Sequence, residues 1–310
     1  MVITADTATP VEWEALLRAA DRFITDECWM WVDSHYLFGV RPPDGKTYYC
    51  GFFGFVDDDT RGFHVYYDPR AYFWFYERRP EDEVFWALDG VVMLLVRKNE
   101  LDGEDRRLLA EFGFTPKTRG RWPKFRNLRP GFHPWYLERR DVRVLTICLE
   151  QGVELARRSE RDPELLAPDR RGRILVRMAE ERGGVVSWTE KREKVIIPER
   201  SKVEPPPLDQ VTLRRLAKMR LKKEGIWEFD YFYSPVPVRL KPGERPYYPF
   251  FLVVADSTRG IIGYRMASHE DVYSEMAALV MATILEQKTL PEHLVVRREE
   301  TYEVLSPLVD

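Results

Sequence analysis

Three prolines set among five large aromatic rings, between Trp122 and Tyr136, constrain this chain more than any other stretch. The run is Trp122-Pro-Lys-Phe-Arg-Asn-Leu-Arg-Pro-Gly-Phe-His-Pro-Trp-Tyr136. Pro123, Pro130 and Pro134 each hold φ near −65° and push the preceding residue out of the α region. Trp122, Phe125, Phe132, Trp135 and Tyr136 are too many apolar groups for a free tether. The expectation is a stiff connector pressed against one domain or wedged between two. Trp122, Phe125, Trp135 and Tyr136 are then expected to be buried at that boundary, and they are the candidate ligand-binding residues. From about residue 137 the pattern turns helical. Val142, Leu145, Leu149, Val153 and Ala156 recur at the three- and four-residue spacing of one buried stripe. This predicts a helix over about 137–158, the spine of the second half.

A chain of 310 residues is long enough for about two domains, at roughly 100–200 residues each. The aromatics concentrate in the first half, so the expected division is an aromatic-rich domain over 1–130 and a second over 131–310. The second carries the spine helix and a proline-rich spacer at 203–207. An apolar fraction of 44% can fill two cores and argues against disorder. With 48 basic and 51 acidic residues, the whole-molecule charge gives no reason to expect nucleic acid or an anionic membrane. No apolar run is long enough to span a bilayer, and no basic segment followed by an apolar one opens the chain. Cys28, Cys50 and Cys148 are few and widely spaced, which reads as reduced, buried thiols in a cytoplasm. Scarce Asn and Gln beside abundant charge and proline hint at a thermophilic source.

Taken in order, Thr9-Pro-Val-Glu12 is a capped helix start, with the helix expected to about Thr25. Strands follow at Tyr36–Val40, Thr47–Phe55 and Phe63–Tyr67, an antiparallel meander with an acidic turn at Asp57–Asp59. Ala71–Arg79 reads as a short aromatic helix. Val91–Val96 is a continuous apolar run, expected to be the central strand, and Glu104–Phe112 a helix closed by Gly113. Beyond the spine helix, Arg173–Arg177 and Val185–Trp188 form a hairpin, and Val211–Lys223 a basic helix. Strands are expected at Trp227–Tyr233, Pro249–Ala255, Ile261–Met266 and Leu294–Val296, with a helix at Asp271–Glu286 before the last. The fold class is α+β in two domains, each an antiparallel or mixed sheet with helices on one side.

Several of these runs carry a resemblance. Trp29-Met-Trp31, Phe38-Gly-Val40, Tyr48-Tyr-Cys50, Phe112-Gly-Phe114, Trp122-Pro-x-Phe125 and Arg129-Pro-Gly-x-x-Pro-Trp-Tyr136 resemble the markers of a bacterial domain of unknown function, number seven-three-zero-nine. Pro134-Trp135, Leu145–Leu149, Arg245-Pro-Tyr-Tyr-Pro249 and Val253-Val-Ala-Asp256 resemble its usual companion, number six-nine-three-zero. The resemblance covers most of the chain and implies no activity. It does imply a further strand after Leu305–Asp310.

The motifs point mostly away from catalysis. An apolar strand ending at Asp256, then a strand, a helix and a strand, resembles the ribonuclease-H-like nucleases, which need carboxylates converging on paired metal ions. Asp256 is the one catalytic candidate, but the last strand ends in Arg297-Arg298, a third strand before the helix is missing, and no later helix is expected. Asp256 otherwise simply starts a hairpin turn. His35, His64, His133, His269 and His293 are scattered, so no metal site is expected, and no cofactor motif appears. The basic residues Arg214, Arg215, Lys218 and Lys222 beside Trp227 and Tyr231 form the candidate nucleic-acid site, with cations on phosphates and rings on bases. A core strand beside a solvated basic helix explains the same residues. The reading is a cytoplasmic bacterial binding or interaction protein without evident catalysis, its partner a protein or peptide. The alternative is a degenerate ribonuclease-H-like domain that binds nucleic acid.

Overall fold

The computed structural model describes residues 7–54, 60–70, 88–117, 120–197, 199 and 202–308. The expected helix at Ala71–Arg79 and the acidic turn at Asp57–Asp59 lie outside them. The architecture is α+β, with strands in a seven-stranded sheet, a four-stranded sheet and a two-stranded pair.

The chain opens with the helix Pro10–Thr25. The Thr9 backbone N–H donates to Glu12 Oε2 at 2.7 Å, and Glu12 N donates back to Thr9 Oγ1 at 3.3 Å, closing the expected capping box. Strands β1 (Phe38–Arg41), β2 (Tyr48–Phe53), β3 (Arg61–Tyr66), β4 (Gly90–Val96) and β5 (Trp122–Leu128) form an antiparallel meander. A hairpin, β6 (Arg173–Arg182) and β7 (Val185–Lys194), joins its other side. There β6 pairs parallel to β1 with Gly39 opposite Val176. The order β5-β4-β3-β2-β1-β6-β7 makes β2 central and corrects the expectation for Val91–Val96, which lies next to an edge.

Two further expectations are overturned here. Trp122–Leu128 is no connector but the edge strand β5, a place where proline is tolerated in a sheet. The spine helix, observed at Arg139–Ser159, belongs to the first half. Its buried stripe Val142, Leu145, Leu149, Val153 and Ala156 enters the same core as Leu16 and Phe23 of the first helix and Phe52, Phe63 and Met93 of the sheet. Asp141 caps it from inside that core. Its carboxylate accepts from the Glu138 N–H (3.0 Å), Asn127 Nδ2 (2.7 Å) and the Tyr67 hydroxyl (2.7 Å). Cys28, Cys50 and Cys148 are buried and free.

The compact units therefore divide near residue 198 and not at 130. The first comprises Met1–Pro130 and Pro134–Pro198, the second Gly131–His133 and Glu199–Asp310. The parallel β1–β6 pairing is the reason, since it ties residues 173–194 to the first sheet. Gly131–His133 joins the second unit through a short ladder. His133 N donates to Pro246 O (2.9 Å), Tyr248 N to Gly131 O (2.8 Å) and Arg245 Nε to His133 O (2.8 Å). Gly131–His133 and Arg245–Tyr248 thus meet in space.

In the second unit a helix at Gln210–Lys218 precedes β8 (Lys222–Lys223), β9 (Ile226–Tyr233), β10 (Phe250–Asp256) and β11 (Gly260–Ala267). The helix Val272–Gln287 follows, then β12 (Thr289–Leu290), β13 (His293–Val296) and a helix at Glu299–Leu305 that the sequence reading did not anticipate. The four-stranded sheet runs β11-β10-β9-β13. β9 to β11 are antiparallel and β13 is parallel to β9, while β8 and β12 pair separately. Three strands precede the helix, as expected, but only β11 lies between the strand that ends at Asp256 and the helix. No helix among the described residues is long and apolar enough to cross a membrane.

Candidate functional site

Strand alternation in the second sheet sends Trp227, Phe229, Tyr231, Phe250, Leu252 and Val254 to one side. Met276, Leu279, Val280 and Ile284 of the helix Val272–Gln287 meet them there in a closed core. The helix comes so close to β11 that a side chain at Gly263 would put its Cβ 2.4 Å from Thr283 Oγ1. β11 is thereby clamped from one side.

Within the second unit, no described residue covers the opposite face. Phe232, Phe251 and Met266 lie opposite one another across β9, β10 and β11, and Val253 lies opposite Tyr264. The Phe232 and Phe251 rings are 5.6 Å apart, and Phe251 stacks on Tyr264 at 5.9 Å and 11°. Tyr264 is 69% exposed, Ile261 64% and Met266 51%. Single exposed apolar residues are ordinary, but a contiguous aromatic row is a recognition feature. A groove of about 650 Å³ runs beside it, lined by Phe251, Ile261, Ile262, Tyr264, Leu279 and Glu286.

β11 is also an open edge, with no strand on its outer side among the described residues. Sheet edges are normally guarded by proline, charge or shortness. β5 carries Pro123 and Lys124, β7 carries Glu190, Lys191, Arg192, Glu193 and Lys194, and β13 has four residues. β11 runs eight residues, Gly-Ile-Ile-Gly-Tyr-Arg-Met-Ala. Its single charge, Arg265, is turned to Glu275 on the helix. This edge is left unguarded.

The residues singled out from the sequence do not assemble into one surface. Phe125 is in the first core, its ring 6.3 Å from Trp13, and Trp122 lies under the Lys98 ammonium at 5.1 Å. Trp135 is half-buried and pairs its backbone with Asn127. Tyr136 donates to Asp102 Oδ2 at 3.1 Å and lies over the Arg126 guanidinium. Partial burial, with Asp102 beside it, pushes the Tyr136 hydroxyl up to about 12. Arg126 in turn donates to both Asp105 and Asp102, so this group serves as a polar anchor for the edge strand.

Asp256 starts a turn, as the simpler reading has it. Its Oδ1 accepts from Thr258 Oγ1 (2.7 Å), Thr258 N (2.9 Å) and Arg259 N (3.1 Å), and Oδ2 from Arg259 Nη2 (3.0 Å). The Thr258 and Arg259 donors hold its carboxyl well below the usual carboxylate range. Glu300, on the unanticipated last helix, accepts from the Tyr231 hydroxyl at 3.0 Å. Asp256 sits opposite Trp227, four residues along β9 from Tyr231, which is about 13 Å by strand rise. The two carboxylates therefore do not converge. Among the described residues no three His, Cys, Asp or Glu side chains come together to hold a metal.

Trp227 is fully buried and Tyr231 is 6% exposed, so neither ring offers a face to a base. Arg214, Arg215, Lys218 and Lys222 are exposed, and Lys222 pairs with Glu224. The open face is hard to read from sequence because Ile261–Met266 has apolar residues on both parities, the pattern of an interior strand. A single charge in an eight-residue strand, on the parity of Gly263 and so turned to the helix, is the signal that could have found it.

Comparison with known proteins matches residues 13–177 to the domain of unknown function DUF7309 and residues 212–310 to the domain of unknown function DUF6930. No curated protein and no solved structure matches the chain.

Proposed function

For a chain that belongs to the DUF7309 family and carries a DUF6930 segment behind it, we propose a binding function without catalysis. The ligand is an extended peptide segment added as a strand to β11. The observation that carries this reading is the unguarded edge beside an exposed aromatic row. A row of unpaired N–H and C=O groups is best matched by another extended backbone, and alternate side chains then reach the groove and the open face. The occupant should carry apolar residues at every second position, for Phe251, Tyr264 and Met266. Glu286, exposed at the rim, favours a basic residue at that end.

The test is selection of a displayed random-peptide library on the full chain, followed by calorimetric titration of the selected peptides. Tyr264→Asp with Met266→Asp changes two exposed side chains and should weaken binding at least tenfold, about 1.4 kcal/mol. Selected peptides that bind the double variant as tightly as the parent would place their site elsewhere.

The nuclease-like reading gains one observation, the sheet order β11-β10-β9-β13 with its parallel fourth strand. The separation of Asp256 from Glu300 and the turn-bound state of Asp256 support a non-catalytic domain even on that topology.

A further inference from the structure

Between Gln210 and Lys223 the chain has six cations and no acidic residue, within a protein whose net charge is −3. The helix Gln210–Lys218 turns Leu216 toward the second core and leaves Arg214, Arg215 and Lys218 exposed. Arg220 continues the series, and β8 sets Lys222 and Lys223 on the surface, paired through its backbone with β12. Lys288, exposed, stands next to β12. Lys222 pairs with Glu224. Arg214, Arg215, Lys218, Arg220 and Lys223 have no ion pair among the described residues. Arg214 and Lys218 are four apart on one helix, an arrangement that costs the helix stability. Arg215 and Lys218 stand in the last turn, where cations favour the helix dipole, but Arg220, Lys222 and Lys223 lie beyond it and gain nothing from it.

Three polyanions could answer this concentration of charge, and the surroundings choose among them. A basic cluster is drawn to an anionic membrane by charge alone, but stable attachment adds an apolar helix face at the interface, and here the half-buried Leu216 is packed against the second core. A single-stranded nucleic acid needs exposed rings for its bases, and Trp227 and Tyr231 are core residues. A duplex offers the highest line of charge, one per about 1.7 Å, and asks only for cations. Arg214 and Lys218 are spaced about 6 Å along the helix, close enough to meet neighbouring phosphates of one strand. We propose that the ribbon Arg214–Lys223 binds the phosphate backbone of double-stranded nucleic acid without reading its bases. This surface is separate from the open edge of β11 and does not rest on the peptide reading.

Fluorescence anisotropy of a labelled mixed-sequence DNA duplex, titrated with the full chain over a range of salt, tests it. Binding at low salt should be micromolar or tighter, and the log–log salt slope should be about 0.9 per phosphate contacted. The triple variant Arg214→Gln, Arg215→Gln, Lys218→Gln keeps helix-forming side chains and should flatten that slope by about 2.7. A thermal melt checks its fold, and Lys218→Gln alone, flattening the slope by about 0.9, serves if the triple variant is unstable. The proposal is overturned by any of four results. These are no duplex binding at low salt, an unchanged slope in the variants, stronger binding to single-stranded DNA, or preferential binding to phosphatidylserine vesicles.

Discussion

His64 shows what burial does to one ionisable group. It is fully buried on β3, with the Phe53 and Tyr66 rings each 4.6 Å from its own. Burial disfavours the imidazolium and lowers its pKa to about 3 from an ordinary 6.5. The unfolded chain thus binds a proton near pH 6.5 that the folded chain refuses until about pH 3. Stability from this residue is full above pH 6.5 and falls as the pH drops toward 3, by at most about 1.4 kcal/mol per pH unit. Urea unfolding of His64→Leu across that interval should show a shallower fall than the parent, and an equal fall would contradict the assignment. Such a residue is invisible to spacing arguments, because nothing in Phe63-His-Val marks which face is covered. Asp256 was more legible. Asp-Ser-Thr-Arg-Gly is turn chemistry, and its side chain binds the turn's own N–H groups.

At the scale of elements, the local patterns were readable and the partnerships were not. The helices Pro10–Thr25 and Arg139–Ser159 were marked by their apolar stripes, and the first by its capping box. The prolines of Trp122–Tyr136 suggested a connector because their backbone constraint is plain in sequence, whereas the strand pairing that accommodates Pro123 is not. The β1–β6 pair joins Gly39 to Val176, a separation no periodicity reports. Gly152 is a similar case. On the spine helix it looks like a weak point, but a Cβ there would come within 2.7 Å of the Phe63 ring. Alanine in a helix ordinarily gains about 1 kcal/mol over glycine. At Gly152→Ala, overpacking against Phe63 should outweigh that gain and leave a net loss of about 1–2 kcal/mol. Adding Phe63→Leu should recover part of it. A double-mutant cycle by chemical denaturation measures the coupling, and additive effects would show that the two residues do not meet.

For the whole molecule, composition correctly indicated two units and misplaced their border, because the aromatic surplus ends before the first sheet is complete. Net charge near zero says nothing of the basic ribbon, which the local sequence shows plainly, or of a strand edge whose one charge, Arg265, is paired with Glu275. The second unit presents both, and the account's central claim concerns the edge. Hydrogen exchange of the full chain, with and without a library-selected peptide at saturation, tests that claim most directly. A peptide added as a strand must cover the free N–H groups of β11. The account predicts slowed exchange within Gly260–Ala267, with the amides of β7 and β13 unchanged. Protection concentrated elsewhere, with Gly260–Ala267 exchanging as in the free chain, would contradict it.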